Sequence, residues 1–325
     1  MIRFANDNDT ARIMAFIESD WKHGHILARD KDFFLYEHGW KDGRINFVLS
    51  EENGAINGIL GFIPYGETNR DVMTVVWKAR DDAPPATGLA LLQYLKENGD
   101  VRIMASPGSA KKLKGMYRYL GYEFGRMTQW YRLHAQSSYT LASINDNTIP
   151  ACAEEGDTLR METWEDVERH FDFEAHTKNK KPYKEAWYIK KRYFDHPVYR
   201  YEVYGVKEQA NSLYPLLVIF RVEESQGARA LRLVDCIGEY GLLAHATSLV
   251  DQLLEQHKAE YADCYEAGVE DAVFEDAGWR KVQASGNVIP NYFFPFVREN
   301  IDIWYFSTDS EIVLFKGDGD QDRPS

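Results

Sequence analysis

The chain has 325 residues, 44% of them hydrophobic, enough for two domain cores rather than one. A formal net charge of −13 sets nucleic acid aside as a partner, because that requires a basic surface, and leaves room for a small anionic ligand held by a few local cations. No apolar run approaches a membrane span, MIRFANDNDT is not a signal peptide, and Cys152, Cys236 and Cys264 form neither a disulfide framework nor a zinc pattern, so a cytoplasmic protein with no membrane contact and no metal is expected.

The first expected element is a short strand, IRFA, followed by a capping loop, NDNDT, and a helix, ARIMAFIESDW. The next stretch, HGHILARDKDFFLYEHGWKDG, holds His23, His25, Asp30, Asp32, Phe33, Phe34, Tyr36 and His38. Phe33 and Phe34 there belong either to a core, with the histidines at the surface, or to a pocket. INFVLSEENG and AINGILGFIPYG have the pattern of a hairpin turning at Glu52-Asn53-Gly54.

Asp71 to Arg80, DVMTVVWKAR, is a strand rich in β-branched residues. The two prolines of DDAPPAT impose a loop. GLALLQYLKENG then gives an amphipathic helix, apolar at Leu89, Leu91, Leu92 and Leu95 and stopped at Gly99. VRIMA is a second strand, and Pro107 and Gly121 bracket a helix in SPGSAKKLKGMYRYLGY. EFGRMTQWYRLH is expected to close this first unit. A helix that starts at a glycine after a strand presents free N–H groups and the positive end of its dipole. Gly88 and Ala90 keep side chains out of the approach, so a pyrophosphate fits against the backbone. Arg80, Lys111, Lys112 and Lys114 add charge nearby. An ordinary strand–loop–helix connection with solvated lysines has the same features.

Residues 135–157 are polar and irregular and mark a linker, with a boundary near 145. The second half then repeats the pattern of the first. TLRMETWEDVERHFDF matches the opening strand and helix, YRYEVYGV and SLYPLLVIFRVE match the hairpin, and ALRLVDCIGEYGLLAHATSLVDQLLEQH matches the central strand, glycine turn and helix. VFEDAGW stands where MYRYLGY stood, with Phe274 in place of Tyr117, and the turn at Gly241 has no nearby Arg or Lys. Near the end, NYFFPF (with Asn291 and Tyr292) and IDIWYF are aromatic strands. The tail FKGDGDQDRPS, with Lys316 and Asp318, is either solvated or folded back as an acceptor-binding element. Asp318, Asp320 and Asp322 have calcium-loop spacing, but Arg323 takes the glycine position and no Glu follows, which excludes an EF-hand.

The β-α-β-α segment Val72–Tyr122 resembles the core of the GNAT superfamily of acyl-CoA-dependent N-acyltransferases. Pro85, Ala86, Thr87, Gly88, Leu89 and Ala90 take the place of its pyrophosphate loop, with Pro85 departing from the family's Arg/Gln. Tyr117, Gly121 and Tyr122 match its tyrosine and glycine-aromatic pair. The resemblance implies an α/β (α+β) fold of two tandem GNAT-like domains, each a mixed, mostly antiparallel sheet flanked by helices. Residues 1–145 would bind acyl-CoA, and residues 146–325 would be a degenerate copy that shapes the acceptor site. It further implies CoA contacts from Trp77, Lys78, Arg80, Thr87, Gly88, Leu89, Ala90, Lys111 and Lys114, with Tyr117 as the acid that reprotonates sulfur. The base is His25, a carboxylate such as Asp30, or a water chain. By the same resemblance, His23, His25, Asp32, Phe33, Tyr36, Asn291, Tyr292, Lys316 and Asp318 are acceptor-side candidates.

In length, two-copy layout and tail the chain also resembles the nucleotide-sugar N-acyltransferases of surface-polysaccharide biosynthesis, which implies a dTDP-linked amino sugar as partner. A Fem-type aminoacyltransferase and an inactive tandem binding module are the alternatives. No G-x-S-x-G motif and no cysteine in a nucleophile context occur, so direct transfer is expected rather than an acyl-enzyme.

Overall fold

The structure is a computed structural model that describes residues 1–152, 154, 156–208, 212–319 and 323–324. Asp320 and Asp322 lie outside the described residues. The strands, in chain order, are β1 (Ile2–Asn6), β2 (Arg44–Glu52), β3 (Ala55–Pro64), β4 (Asp71–Ala79), β5 (Ile103–Pro107), β6 (Glu123–Arg126) and β7 (Thr128–Leu133) in the first half. The second half has β8 (Asp157–Arg160), β9 (Glu202–Lys207), β10 (Leu216–Ser225), β11 (Ala228–Gly238), β12 (Ala259–Ala267), β13 (Arg280–Lys281), β14 (Trp304–Ser307) and β15 (Leu314–Phe315).

They form two mixed sheets. The first runs β1-β2-β3-β4-β5-β14-β6, and the second runs β13-β7-β12-β11-β10-β9-β8, with β15 paired to β12. Within each sheet the central pair, β4 with β5 and β11 with β12, is parallel, and the remaining pairs are antiparallel. Parallel neighbours need a crossover, and each is made by an amphipathic helix, α4 (Thr87–Asn98) in the first unit and Thr247–His257 in the second. Leu91, Leu92 and Leu95 are the buried face of α4, at the spacing read from the sequence.

EFGRMTQWYRLH does not close the first unit as one strand. Its first part, β6, stays in the first sheet, while β7 leaves and pairs with β12 through Thr128–Leu133. The vacancy between β5 and β6 is taken by β14, from the far end of the chain. Each sheet thus receives a strand from the other half, and the division near residue 145 is crossed in both directions. One buried cluster joins the halves, with Phe34, Phe47 and Ile63 packed together with Tyr188, Leu217 and Ile237. Polar clamps add to it. The Glu185 carboxylate accepts N–H groups of Glu67 at 2.9 Å and Asn69 at 2.7 Å, and Asp71 accepts the Tyr183 N–H at 2.8 Å.

Other elements depart from expectation for local reasons. The first helix, α1 (Thr10–Phe16), widens into a π turn over Ile17–Trp21 instead of continuing as α. A second π turn, Lys190–Phe194, follows the helix Ala186–Ile189. Such turns are rare and concentrate at functional sites. Two short helices follow the first π turn, α2 (Ile26–Arg29) and α3 (Lys31–His38). Pro107 ends β5 rather than starting a helix, and α5 (Lys114–Tyr119) begins after a 3-10 turn at Lys111–Leu113. NYFFPF is not a strand. It makes only the isolated bridge Phe293–Phe296 around a cis Phe294–Pro295 peptide. Among the described residues no helix is long and apolar enough to cross a membrane.

Candidate active site

β4 and β5 pair only over Asp71–Met73 and Ile103–Ala105, and then diverge. Just beyond, β4 bulges. Leu60 faces Trp77 and Gly61 faces Val75, which leaves Val76 as the extra residue with φ of +35°. A β-branched residue rarely adopts that conformation, and holding it costs ~1–3 kcal/mol. The diverging strands open a cleft of about 320 Å³. Thr74, Val76, Trp77, Ser106, Ser109 and Tyr117 line it, together with Trp21 and Phe306.

Tyr117, on α5, is buried, with its ring stacked on Phe306 at 4.3 Å and Phe124 at 5.6 Å. Burial raises its phenol pKa, against a smaller opposing effect of the Ser109 hydroxyl, so the O–H stays protonated at neutral pH and is available to donate. The wall around it is held by the exchanged strand. The N–H groups of Gly108 and Ser109 both donate to the Trp304 carbonyl at 2.8 Å, and Ser109 Oγ donates to Ser106 O at 2.9 Å. Sequence reasoning did not single out Ser106, Ser109 or Phe306. The S-P-G-S turn was the available signal for the serines, and nothing local pointed to Phe306.

The start of α4 has no side-chain cap and is entered through Ala86 in the left-handed region, φ 64°. Its first turn is therefore open to a ligand or solvent. Thr87 Oγ1 donates to Pro84 O at 2.7 Å, and Leu89 and Ala90 are half-buried. The bare face of Gly88 does not look outward as expected. A Cβ there would meet the Trp77 indole at 3.4 Å, an ordinary contact, and Trp77 Nε1 donates to Gly88 O at 3.1 Å. That contact is no closer than ordinary packing, so Trp77 does not require a glycine at this position. The expected cations are already engaged. Arg80 pairs with Asp82 at 3.0 Å, Lys78 with Asp81 at 2.8 Å, and Lys111 lies 5.0 Å from the Trp304 ring. The two ion pairs are exposed and contribute little to stability, so an incoming anion can compete for them. Lys114 is half-buried at the first position of α5.

On the other side of the Val76 bulge lies a small cavity of about 20 Å³, lined by His25, Phe33, Glu37, His38 and Arg323. It shares Trp21, Val75 and Val76 with the larger cleft. His25 caps α2, its Nδ1 accepting the Leu27 N–H at 3.2 Å, and it packs edge-on to Trp21 at 4.9 Å. Burial, with Lys22 and Arg29 adding, lowers its pKa to about 4. The ring is therefore neutral, and because Nδ1 accepts, its proton sits on Nε2. That arrangement suits a hydrogen-bond donor and argues against His25 as general base. Asp30 is likewise committed, capping α3 by accepting the Phe33 N–H at 2.9 Å.

Nothing in the sequence marked Glu37 and His38 as a pair, although their spacing from Phe33 and Phe34 puts them on the buried face of α3. Burial alone would raise the Glu37 pKa, but Arg323, Arg192 and His38 outweigh it and hold the carboxyl below its ordinary value. Glu37 is ion-paired with Arg323. Tyr36 donates its hydroxyl to the Lys191 carbonyl, and burial pushes its phenol pKa up.

The other acceptor-side candidates do not gather here. His23 is 91% exposed and pairs with Glu18, and Asp32 is exposed on the first turn of α3. Asn291 and Lys316 are bonded to each other, with Asn291 also 3.2 Å from Arg232 of the second sheet. Tyr292 is exposed. Asp318 is fully buried and accepts Lys184 Nζ at 3.0 Å, while Lys184 also pairs with Asp235 at 2.8 Å. Residues 316–318 are thus folded into the molecule, not solvated.

They fill the second unit's equivalent of the cleft. β11 and β12 pair as far as Leu233 and Cys264, and β15 then lies beside β12 through Glu266–Phe315 and Ala267–Leu314. The turn Lys316–Asp318 presses on β11 so closely that a Cβ on Gly317 would meet Tyr193 Oη at 2.7 Å and Val234 O at 3.0 Å. A 3-10 run, Tyr240–Ala246, precedes the second crossover helix. Phe274 stacks on Trp130 of β7 at 5.0 Å, repeating the packing of Tyr117 on Phe306 without a hydroxyl.

No family model matches the sequence, and no curated protein matches it by sequence. Solved structures do share its shape. A GCN5-related N-acetyltransferase from Anabaena variabilis superposes with a TM-score of 0.54 at 14% identity, over 94% of this chain and 72% of that one. One from Kribbella flavida gives 0.53 at 13% identity, over 94% and 70%. Eis1 from Mycobacterium abscessus gives 0.51 at 14% identity, over 94% and 73%. At such identity the likeness concerns fold alone, and this chain has the fold of the GCN5-related N-acetyltransferases, laid down in two copies that exchange a strand.

Proposed function

We propose that the chain is an acyl-CoA-dependent N-acyltransferase that works through its first unit only. The observation that carries this reading is the cleft between β4 and β5, where a strained bulge at Val76 and a protonated Tyr117 line the same space. The uncapped start of α4 supplies N–H groups and a favourable dipole end for the cofactor's diphosphate. Lys78 and Arg80, at the end of β4, and Lys111 and Lys114, which follow β5, contribute charge in this reading. The acceptor amine enters from the His25 side of the bulge and attacks the thioester carbonyl. A C–N bond forms, the C–S bond breaks, and Tyr117 hands its proton to sulfur. His25 Nε2–H holds the acceptor, and the amine's proton leaves to water.

For the acceptor we propose the amino group of a nucleotide-linked sugar, dTDP foremost. The support is the resemblance of the whole chain in length, layout and tail. The second unit, its cleft filled by residues 314–318, serves as scaffold. The reading is tested by titrating the protein with acetyl-CoA in a calorimeter. One equivalent should bind, and Ser109→Trp, which fills the cleft, should abolish binding. Two equivalents, or binding that ignores Ser109→Trp, would place the ligand elsewhere.

A further inference from the structure

Lys191 is set apart from the other lysines near it. It belongs to the second π turn, Lys190–Phe194. Its neighbour Lys190 pairs with Asp195 at 3.1 Å, and Lys184 is held between Asp235 and Asp318. The Lys191 ammonium has neither a hydrogen bond nor an ion pair with any described residue. It sits instead between two aromatic faces, 5.1 Å from the Tyr36 ring and 5.0 Å from the Trp187 ring. Cation–π contact partly replaces water but supplies no hydrogen-bond acceptor. Burial lowers the pKa of this ammonium against the pull of Glu37, which shows that the charge is held at a cost.

The space it faces is a cavity of about 10 Å³ lined by Tyr36, Glu37, Trp187, Lys191, Arg192 and Arg323. Three cations and one carboxylate meet there, and the carboxylate is already paired with Arg323. The volume admits one water-sized group, such as a single terminal oxygen of a larger anion. This cavity shares Glu37, Ile63 and Arg323 with the His25 cavity, which in turn shares Trp21, Val75 and Val76 with the cleft. The three spaces therefore form a line of shared walls, from the Tyr117 cleft, past the bulge and the His25 cavity, to the Lys191 cavity. Each of the two π turns contributes a residue to that line, Trp21 from one half and Lys191 from the other.

We infer that the acceptor carries an oxyanion, phosphate or carboxylate, at the end remote from its amine, and that Lys191 receives it with Arg192 and Arg323 alongside. This rests on the acyl-transfer reading above and goes further, assigning the residue that recognises the acceptor's charge and the end of the acceptor that it holds. A planar or tetrahedral oxyanion supplies the acceptors the ammonium lacks, and a charge-assisted hydrogen bond in a half-buried site is among the stronger ones.

The test uses inorganic pyrophosphate as probe, titrated at constant ionic strength into the full chain saturated with CoA and followed by phosphorus NMR and thermal shift. Saturable binding is expected, weakened about tenfold or more in Lys191→Met, which keeps the apolar stem between the two rings, and largely recovered in Lys191→Arg. A parallel titration with acetate separates the sources. Response to pyrophosphate alone assigns a phosphate-bearing acceptor, and response to acetate as well assigns a carboxylate-bearing one. Equal response of wild type and Lys191→Met, or binding that vanishes once CoA is present, overturns the inference. Failure of CoA itself to bind sinks the acyl-transfer reading instead, and the same titration without CoA still reports on Lys191.

Discussion

The proton on Tyr117 is held by the same burial that fixes the ring. Stacking on Phe306 and Phe124 keeps the side chain in place without its hydroxyl, so Tyr117→Phe separates chemistry from packing. Turnover should fall about 10²–10⁴-fold while the melting temperature hardly moves, because only one hydrogen bond of ~1 kcal/mol is lost. Unchanged turnover would remove Tyr117 from the proton path. A different buried group governs stability. Asp235 has its pKa raised to about 6 by burial, with Asp318 adding and Lys184 opposing. The folded state then keeps this proton to higher pH than the unfolded chain does. The contribution is fully present below the ordinary carboxylate value and is lost as pH rises through about 6. Urea unfolding between pH 4.5 and 7 should show this loss in wild type and a flatter profile in Asp235→Asn. Parallel profiles would contradict it. None of this was visible in the sequence, where Asp235 is one of three charged residues, with Arg229 and Arg232, in an otherwise apolar strand.

Single elements were legible to the extent that their pattern was local. The β-branched run of β4 and the leucine spacing of α4 specified a strand and a helix, and both formed within a residue or two of expectation. The bulge at Val76 was not legible, because nothing in TVVW marks one residue for positive φ. The mismatch of β3 and β4 produces it only when the two strands pair. The fate of β7 and β14 was equally hidden. Alternation assigns a strand's faces, not its neighbours. β14 nevertheless forms a wall of the cleft, which yields a prediction at this scale. Phe306→Ala should destabilise the chain by about 3–5 kcal/mol and, on the proposed function, weaken CoA binding, although Phe306 lies far from the start of α4 in sequence. Denaturant unfolding and the CoA titration together check it, and a loss below ~1 kcal/mol would mean that the exchanged strand does not support the site.

Across the whole molecule, the exchange makes neither half complete. Residues 1–145 alone would lack β14 between β5 and β6, and would expose β7 without β12. Unpaired edges of that kind favour aggregation. The fragment is expected to be unfolded or aggregated by itself and to recover CoA binding when co-expressed with residues 146–325. A well-dispersed NMR spectrum from the isolated fragment would show that it folds without the exchange. The sequence by itself determined two repeats of one β-α plan, a phenol in the first and none in the second, and an acidic chain. Each of these follows from periodicity, residue identity or charge, which are properties of neighbours along the chain. Only the tertiary structure decided which sheet each terminal strand joins, that residues 314–318 fill the second cleft, and that Glu37, Lys191 and Arg323 meet beside the first. Those outcomes depend on pairings between residues far apart, whose energies arise only when distant surfaces bury one another.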